Sequence, residues 1–259
     1  ITQTFANKEK KLVTFVTGGD PNIETSKKII RSMAKCGVDI IEIGMPFSDP
    51  MADGPTIQQS SSRSIESGTN LDKIFNICRD FRKTNNTIPL ILMGYYNVIF
   101  HYGVKKFIDQ CKDNYIDGLI IVDLQPEEDS ELLSEIKSTD IDLIRLVTPT
   151  TDSKRLSTIL ENSSGFLYYV TITGITGQKS ADMKELKFSI EEIRKYSKLP
   201  VVAGFGIKNK YQVSEICKIT DGAVVGSSIV KIIENNLNQS DLILKLIGNF
   251  VKELKKGTV

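Results

Sequence analysis

Two acidic side chains in the first quarter of the sequence are the strongest candidates for catalytic chemistry. Glu42 lies within the mainly apolar segment Val38–Ile43, and a buried carboxylate is costly unless it is paired or protonated. The next segment, Gly44–Gln58, holds three prolines, two glycines and the aspartates Asp49 and Asp53, which predicts a structured loop. Glu42 and Asp53 could therefore converge on one acid–base site. The alternative is that Glu42 caps a backbone N–H and Asp53 only forms a turn.

Two short glycine-containing segments could bind an anion elsewhere in the fold. Segment 204–206 reads Gly-Phe-Gly after a predicted strand, and segment 226–228 reads Gly-Ser-Ser at the start of a predicted helix. Exposed backbone N–H groups and the positive end of a helix dipole attract phosphate, and glycine lets the anion approach the chain. Because the two segments follow consecutive strands, we favour a phosphate site over plain turns. Ser227 adds a hydroxyl donor, and Gly177 could close a third side.

The elements that must position these groups alternate between strand and helix about eight times. The strands are continuously apolar, which is typical of parallel strands that are covered by helices. This pattern predicts the α/β class and one TIM-barrel domain, a (β/α)₈ barrel over residues 1–259, with an extra N-terminal helix and a short extra helix after strand eight. A doubly wound open sheet is the competing architecture. The predicted strands are 12–17, 38–43, 88–93, 118–122, 141–147, 166–170, 200–203 and 223–225.

Apolar spacing and capping residues predict the helices between these strands. Asn22 or Thr25 begins the first helix and Gly37 ends it, while Asp152 or Ser153 begins a later one. Residues 171–185 are predicted to be a polar loop. The predicted helices end near residues 35, 66, 83, 114, 137, 160, 196, 218, 235 and 255.

Composition excludes several classes of function. Lysine and arginine number 33 against 32 acidic residues, so the net charge of +1 provides no field for nucleic acid or an anionic membrane. No apolar run approaches the roughly 20 residues that span a bilayer. The four scattered cysteines indicate a reducing compartment. The only histidine, His101, is expected on the surface at a helix start, and no metal-binding cluster is predicted.

The residues alone therefore predict a soluble barrel enzyme that acts on a small phosphorylated molecule. Its two acids would lie at strand two and the following loop, and the phosphate would bind across the mouth at strands seven and eight. No Ser/Cys–His pair or lysine at a strand end is visible. Acid–base catalysis by carboxylates is the chemistry that remains.

The motifs as a group resemble those of the tryptophan synthase α-subunit family. Segment 42–58, EIGMPFSDPMADGPTIQ, matches that family's signature almost throughout and is highly specific. Segments 17–21 (TGGDP), 174–177 (GITG), 204–206 (GFG) and 226–231 (GSSIVK) match in order and spacing. The resemblance extends from about Phe5 to Leu254.

This resemblance implies a lyase that cleaves indole-3-glycerol phosphate to indole and glyceraldehyde 3-phosphate by a retro-aldol reaction. It implies that Glu42 is the general acid/base and that Asp53 hydrogen-bonds the indole N–H and stabilises the developing positive charge. Tyr168 would lie near Glu42, and Thr176 would hydrogen-bond Asp53 when the strand-six loop closes. The phosphate would be held by Gly177, Phe205, Gly206, Gly226 and Ser227, and the indole slot would be lined by Phe15, Ile57, Met93 and Val122.

The resemblance also implies a partner. Family members work in tryptophan biosynthesis as an α₂β₂ complex, in which indole passes to a β subunit that carries pyridoxal phosphate; no cofactor is expected in this chain. The loop at 46–55, with Asp49, would face that partner. A free-standing indole-releasing lyase, a catalytically silent regulatory barrel and a different phosphosugar isomerase remain as alternatives. Cytoplasm and plastid stroma are both compatible with a reducing compartment.

Overall fold

A computed structural model describes residues 1–170, 179–204 and 206–259 of the chain. Within those ranges every strand belongs to one parallel sheet. The strands are β1 (Lys11–Thr17), β2 (Ile40–Gly44), β3 (Leu90–Gly94), β4 (Gly118–Ile121), β5 (Asp142–Leu143), β6 (Arg145–Val147), β7 (Leu167–Val170), β8 (Val201–Gly204) and β9 (Gly222–Val225).

Helices surround the sheet and connect successive strands. The short helix α1 precedes β1, and 3₁₀ turns occupy Pro126–Glu128 and Lys256–Thr258. The α-helices are α1 (Thr2–Phe5), α2 (Ile23–Lys35), α3 (Pro55–Glu66), α4 (Leu71–Arg82), α5 (Tyr96–Tyr102), α6 (Val104–Asp113), α7 (Ser130–Ile136), α8 (Ser153–Leu160), α9 (Lys179–Tyr196), α10 (Lys210–Cys217), α11 (Ser227–Glu234) and α12 (Ser240–Lys255).

The sheet closes on itself through one divided strand. The strand order is β5-β4-β3-β2-β1-β9-β8-β7-β6, so β5 and β6 stand at opposite ends of the order. Only Ile144 separates these two strands in the sequence; β5 pairs with β4, whereas β6 pairs with β7. The predicted fifth strand, 141–147, is therefore one barrel strand in two parts. The predicted (β/α)₈ TIM barrel is confirmed, and the open-sheet alternative is wrong.

The interior of the barrel is built in layers because alternate residues of each strand point inward. The lowest layer is entirely apolar and buried, and the residues two positions further along each strand form the next layer towards the carboxyl ends. Lowest-layer residues are Val13, Ile40, Ile91, Ile120, Ile144, Phe166, Val202 and Val224. The layer above them consists of Phe15, Glu42, Met93, Val122, Leu146, Tyr168, Gly204 and Gly226.

The predicted extra helices are both present. The N-terminal helix α1 covers the lower end of the barrel, where Ile1 and Phe5 pack against the interior layer and the Phe5 and Phe166 rings lie 5.8 Å apart. The short helix α11 follows β9, the eighth strand position, and precedes the longer α12. One extra helix thus seals the end of the barrel opposite the carboxyl ends of the strands, and the other begins at those carboxyl ends.

Three local predictions were wrong. Helix α3 begins at Pro55 rather than residue 60, so the predicted loop at 44–58 is too long. Gly54 is the N-cap of α3, and proline is favourable at the first helical position because it needs no backbone N–H donor there. Helix α9 already includes 179–185, which were predicted as loop, because Leu186, Ile190 and Ile193 bury one face of a longer helix. His101 is exposed but lies in the last turn of α5, a helix that was not predicted.

Candidate active site

A cavity of about 380 Å³ opens at the carboxyl ends of the strands. Its walls come from the second interior layer, from the loop before α3 and from the start of α11. Both predicted acids line this one cavity. The lining residues are Phe15, Glu42, Ala52, Asp53, Gly54, Ile57, Met93, Val122, Leu146, Thr148, Tyr168, Val170, Gly204, Gly206, Val224, Gly226 and Ser227.

Glu42 is a buried carboxyl group without a compensating partner. It lies in the middle of β2, between Phe15 of β1 and Ile91 of β3 in the strand register, and its exposed fraction is 0%. Neither carboxyl oxygen has a hydrogen-bond partner among the residues that the structure describes. Burial therefore raises the pKa of Glu42 to about 8. The side chain is protonated at neutral pH and can donate a proton into the cavity.

Asp53 reaches the same cavity from the loop that precedes α3. Its backbone oxygen accepts a hydrogen bond from the Gln58 amide at 2.8 Å, and its Oδ2 accepts one from the Tyr95 hydroxyl at 3.1 Å. Burial raises the pKa of Asp53, and the Tyr95 hydrogen bond opposes that rise. The two acids therefore differ in environment: Glu42 has no stabilising donor among the described residues, whereas Asp53 has one.

Tyr168 stands in the sixth barrel strand, β7, facing the two acids. Burial raises the pKa of its hydroxyl well above the usual value, and the nearby carboxyl groups of Glu42 and Asp53 raise it further. A Cβ atom added at Gly204 would lie only 2.7 Å from the Tyr168 hydroxyl, so a larger residue there would force the tyrosine or the strand to shift. The phenol remains protonated and forms part of the cavity floor.

Part of the cavity is lined by apolar side chains. The side chains predicted to form the indole slot, Phe15, Ile57, Met93 and Val122, all line it. Glycines flank Phe15 on both sides: a Cβ at Gly44 would lie 2.6 Å from its ring, and a Cβ at Gly226 would lie 3.2 Å from its Cβ. Side chains larger than hydrogen at Gly44 or Gly226 would press on Phe15, so the two glycines leave room for its ring in the cavity wall.

The cavity rim at the carboxyl ends of β8 and β9 carries glycine and serine rather than cationic side chains among the described residues. Gly206 has a φ of +60°, and Gly226 is the N-cap of α11, whose first residue is Ser227. The Ser228 hydroxyl donates to the Ile207 carbonyl at 2.5 Å, which ties the start of α11 to the loop after β8. Within the ranges that the structure describes, no lysine or arginine lines the cavity. An anion at this rim would be bound by N–H groups, the helix dipole and the Ser227 hydroxyl.

A row of polar contacts fixes α3, the helix that follows Asp53, to the end of β1. Arg63 donates two hydrogen bonds of 2.8 Å to Asp20, whose exposed fraction is 1%. The Thr17 and Ser60 hydroxyls lie 2.5 Å apart. These contacts hold the end of the acid-bearing loop at a fixed place relative to the barrel.

Sequence reasoning located most of the cavity but missed one partner of the acids. Thr176, Gly177 and Phe205 were predicted at the site and lie outside the residues that the structure describes. Every other predicted site residue lines the cavity, and the roles assigned to all of them stay predictions. Tyr95 was missed because its contact with Asp53 joins two loops that no local pattern relates; Gly204 and Leu146 could have been found from the two-residue period of their strands.

The described residues provide neither a metal-binding cluster nor a helix that could span a membrane. No group of three or more histidine, cysteine, aspartate or glutamate side chains in those ranges is placed to bind a metal ion. In the same ranges, no helix has the length and apolar character that crossing a bilayer requires.

Comparison with known proteins identifies the family. The family model of the tryptophan synthase alpha chain matches residues 1–259. Tryptophan synthase subunit alpha of Legionella pneumophila strain Paris is 33% identical, with a TM-score of 0.91 over 99% of this chain and 97% of that chain. A structure from Aquifex aeolicus VF5 is 37% identical, with a TM-score of 0.89 and coverage of 99% and 98%. Tryptophan synthase of M. tuberculosis in its aminoacrylate-bound form is 26% identical, with a TM-score of 0.87 and coverage of 99% and 98%. The resemblance in motifs is thus confirmed along the whole sequence, and the chain belongs to the tryptophan synthase alpha chain family.

Proposed function

We propose that this chain is a lyase that cleaves indole-3-glycerol phosphate to indole and glyceraldehyde 3-phosphate. The observation that carries the proposal is that Glu42, a protonated acid, and Asp53 line the same cavity as glycine and serine residues at the ends of β8 and β9. Membership of the tryptophan synthase alpha chain family supports the lyase class. The cavity has an apolar slot for a flat aromatic ring and backbone donors for a phosphate, which match the two ends of this substrate.

Glu42 carries out the proton transfers in the proposed reaction. Its neutral carboxyl group protonates C3 of the indole ring, which breaks the ring's aromaticity and places a positive charge on the ring. The resulting carboxylate then takes the proton of the adjacent glycerol hydroxyl. The bond from C3 to the side chain breaks, its electron pair restores the indole ring, and the side chain leaves as an aldehyde. A pKa of about 8 suits a group that must donate and then accept a proton near neutral pH.

Asp53 stabilises the charge that forms in the first step. Protonation at C3 makes the indole nitrogen cationic and its N–H a stronger donor, so a carboxylate that accepts this hydrogen bond stabilises the intermediate more than the substrate. Asp53 lines the same cavity as the apolar side chains and accepts a hydrogen bond from Tyr95 through Oδ2. Tyr168 closes the floor between the acids and excludes water.

The phosphate would bind at Gly206, Gly226 and Ser227. The positive φ of Gly206 and the N-terminus of α11 aim backbone N–H groups at this rim. The proposed contacts of Gly177 and Phe205 with the phosphate, and of Thr176 with Asp53, concern residues outside the described ranges. Binding the phosphate at a fixed distance from the acids would hold the scissile bond beside Glu42.

The proposed partner is a tryptophan synthase β subunit, in an α₂β₂ complex whose β subunits carry pyridoxal phosphate. The loop before α3 supports this assignment, because Asp49 is exposed and the Met51 side chain is 80% exposed although it is apolar. The same loop carries Asp53, so a partner bound there would act directly on the site. The compartment proposed for the chain is the cytoplasm or a plastid stroma, which agrees with four cysteines that are all free thiols.

The experiment is a product assay on the purified chain. Indole-3-glycerol phosphate is supplied, and indole and glyceraldehyde 3-phosphate are measured with and without a β subunit. Equal amounts of both products are expected, and strong activation by the β subunit would support the channelling complex over a free-standing lyase. If neither condition yields indole, the proposed reaction is wrong.

A binding measurement separates this function from that of another phosphosugar barrel. The probe is an analogue that has the indole ring and the phosphate joined by a chain without hydroxyl groups, so it can bind but cannot be cleaved. Tight binding is expected because both ends of the analogue meet their proposed sites. Absence of binding would favour an isomerase of a different phosphosugar.

A further inference from the structure

Tyr95 is a buried residue whose hydroxyl contacts Asp53, one of the two proposed catalytic acids. We propose that it is a positioning residue that fixes one oxygen of Asp53 and holds that carboxyl group in its ionised form, an inference that rests on the function proposed above. Tyr95 follows β3 directly and is 3% exposed. Its hydroxyl donates to Asp53 Oδ2 at 3.1 Å, and it accepts a hydrogen bond from the Ala52 backbone N–H at 3.0 Å.

The direction of the Tyr95 hydrogen bond follows from counting donors. A phenol has one hydrogen to donate and can also accept. Because the Ala52 N–H is itself a donor, it can only occupy an acceptor site on the Tyr95 oxygen, and the phenol's single hydrogen is free to point to Asp53. Oδ2 is therefore engaged, and the residues that the structure describes supply no hydrogen bond to Oδ1. Oδ1 is left to accept the indole N–H.

The Tyr95 ring is held in place on several sides. The Phe47 ring lies 5.2 Å from it at an interplanar angle of 35°. The residue after it, Tyr96, begins α5, and the Tyr96 N–H donates to Asp123 at the end of the fourth strand at 2.8 Å. Since Ala52 and Asp53 are consecutive, Tyr95 binds the acid-bearing loop at its backbone and at its carboxylate. The loop after β2 is thereby fixed to the end of β3.

The charges around Asp53 explain why a donor is needed there. The groups that face it are Glu42 on β2, Tyr168 on β7 and Tyr95 after β3, and Asp123 acts on Tyr95 from the end of β4. All of these groups are acidic or neutral. Within the described part of the chain no basic side chain lines the cavity, so nothing cationic there offsets a charge on Asp53. Burial raises the pKa of Asp53 and the Tyr95 hydrogen bond lowers it, so the hydroxyl favours the ionised form.

The test compares Tyr95→Phe with Tyr96→Phe. Phenylalanine keeps the ring and its contact with Phe47 but removes the hydroxyl. Tyr96 is the matched control, because it is the next residue and its hydroxyl donates to the surface residue Glu131 at 2.9 Å, away from the cavity lining. Indole formation is measured from pH 5 to 9, and the pKa of Asp53 is followed directly by NMR of chain labelled with ¹³C at aspartate Cγ. Asp53→Asn assigns the signal.

In Tyr95→Phe we expect the acid limb of the kcat profile to move upward by about one pH unit, so that kcat on the acid side of that limb falls about tenfold, which is the usual size of a lost charge-assisted hydrogen bond. The NMR pKa of Asp53 should rise by about the same amount, and Tyr96→Phe should change neither quantity. A Tyr95→Phe variant with reduced activity but an unmoved acid limb and Asp53 pKa would overturn the inference, since a merely structural role lowers the rate at every pH.

The outcomes separate this inference from the proposed function. If the wild-type chain forms no indole, the function fails, and the NMR measurement still decides whether Tyr95 holds Asp53 ionised. If the wild type is active and both variants behave like it, the function stands and the role of Tyr95 is refuted.

Discussion

The buried carboxyl group of Glu42, which has no hydrogen-bond partner among the described residues, leads to a quantitative prediction about stability as well as catalysis. Its pKa is raised to about 8 in the folded chain, against an ordinary value of 4.5 when the chain is unfolded. Between these two values the folded state binds one proton more than the unfolded state. The favourable contribution of this group is therefore complete below pH 4.5 and is lost as the pH rises through 8.

The size of this loss of stability follows from the shift in the pKa of Glu42. At about 1.4 kcal/mol per pKa unit, the full loss is about 5 kcal/mol, and the part that falls between pH 5.5 and pH 8.5 is about 3 kcal/mol. Glu42→Gln removes the titration but keeps the size of the side chain. The free energy of unfolding of the wild type relative to Glu42→Gln should therefore fall by about 3 kcal/mol over that interval.

The assay is urea unfolding of both proteins at several pH values in one buffer series, so that all other titrating groups cancel in the difference. Glu161→Gln, a change at an exposed carboxylate in the C-cap of α8, is the matched control. Its free energy of unfolding should change with pH in the same way as that of the wild type. If the unfolding free energies of the wild type and Glu42→Gln also change with pH in the same way, Glu42 is not a buried neutral acid. It then cannot be the proposed proton donor.

Three further changes test other parts of the site. Asp53→Asn should lower kcat by at least ~10², because it removes the charge opposite the cationic ring; a tenfold loss or less in the indole assay would count against that role. Gly204→Ala should cost about 1–3 kcal/mol of unfolding free energy, because its Cβ would lie 2.7 Å from the Tyr168 hydroxyl. If the double variant with Tyr168→Phe regains unfolding free energy, the clash is confirmed, and if it regains none, the clash is contradicted. Arg63→Met should cost about 3–5 kcal/mol of unfolding free energy, because it leaves Asp20 buried without its partner. The double variant with Asp20→Asn should lose less unfolding free energy, and an equal loss would show that the unpaired charge of Asp20 is not the cause.

The sequence predicts the parts of this fold that depend on local chemistry. The Asn22 side chain accepts from the Thr25 N–H at 2.9 Å, the Asp152 side chain accepts from the Arg155 N–H at 2.7 Å, and Gly37 has a φ of +97°. Each is a cap or helix end read from residue type and position. Most strands follow equally well, because they are short and mainly apolar runs that are buried in a parallel sheet.

The parts that the sequence misses depend on contacts between distant segments. Residues 96–102 are rich in aromatic and β-branched side chains, which are poor helix formers, yet they form α5 because Asp123 caps Tyr96 and Ile99 is fully buried. The fifth barrel strand is interrupted at Ile144, where its pairing partner changes from β4 to β7. No property of residues 141–147 predicts this change.

The candidate site shows the same division. The inward positions of Phe15, Glu42, Met93 and Val122 follow from strand alternation once the strands are located. The contact between Tyr95 and Asp53 does not, because it joins the loop after one strand to the loop after the next. Local pattern predicts the walls of the cavity, whereas only the assembled barrel shows that Asp53 has a hydrogen-bond donor and that Glu42 has none in the described ranges.

The central claim is that Glu42 and Asp53 act on one substrate whose ring and phosphate bind in one cavity. It is tested most directly by measuring, on wild type, Glu42→Gln and Asp53→Asn, both cleavage of indole-3-glycerol phosphate and binding of the uncleavable indole–phosphate analogue. The account predicts that both variants bind the analogue within about tenfold of the wild type, while Glu42→Gln forms no measurable indole and Asp53→Asn loses at least ~10² in rate. Substantial indole formation by Glu42→Gln would contradict it.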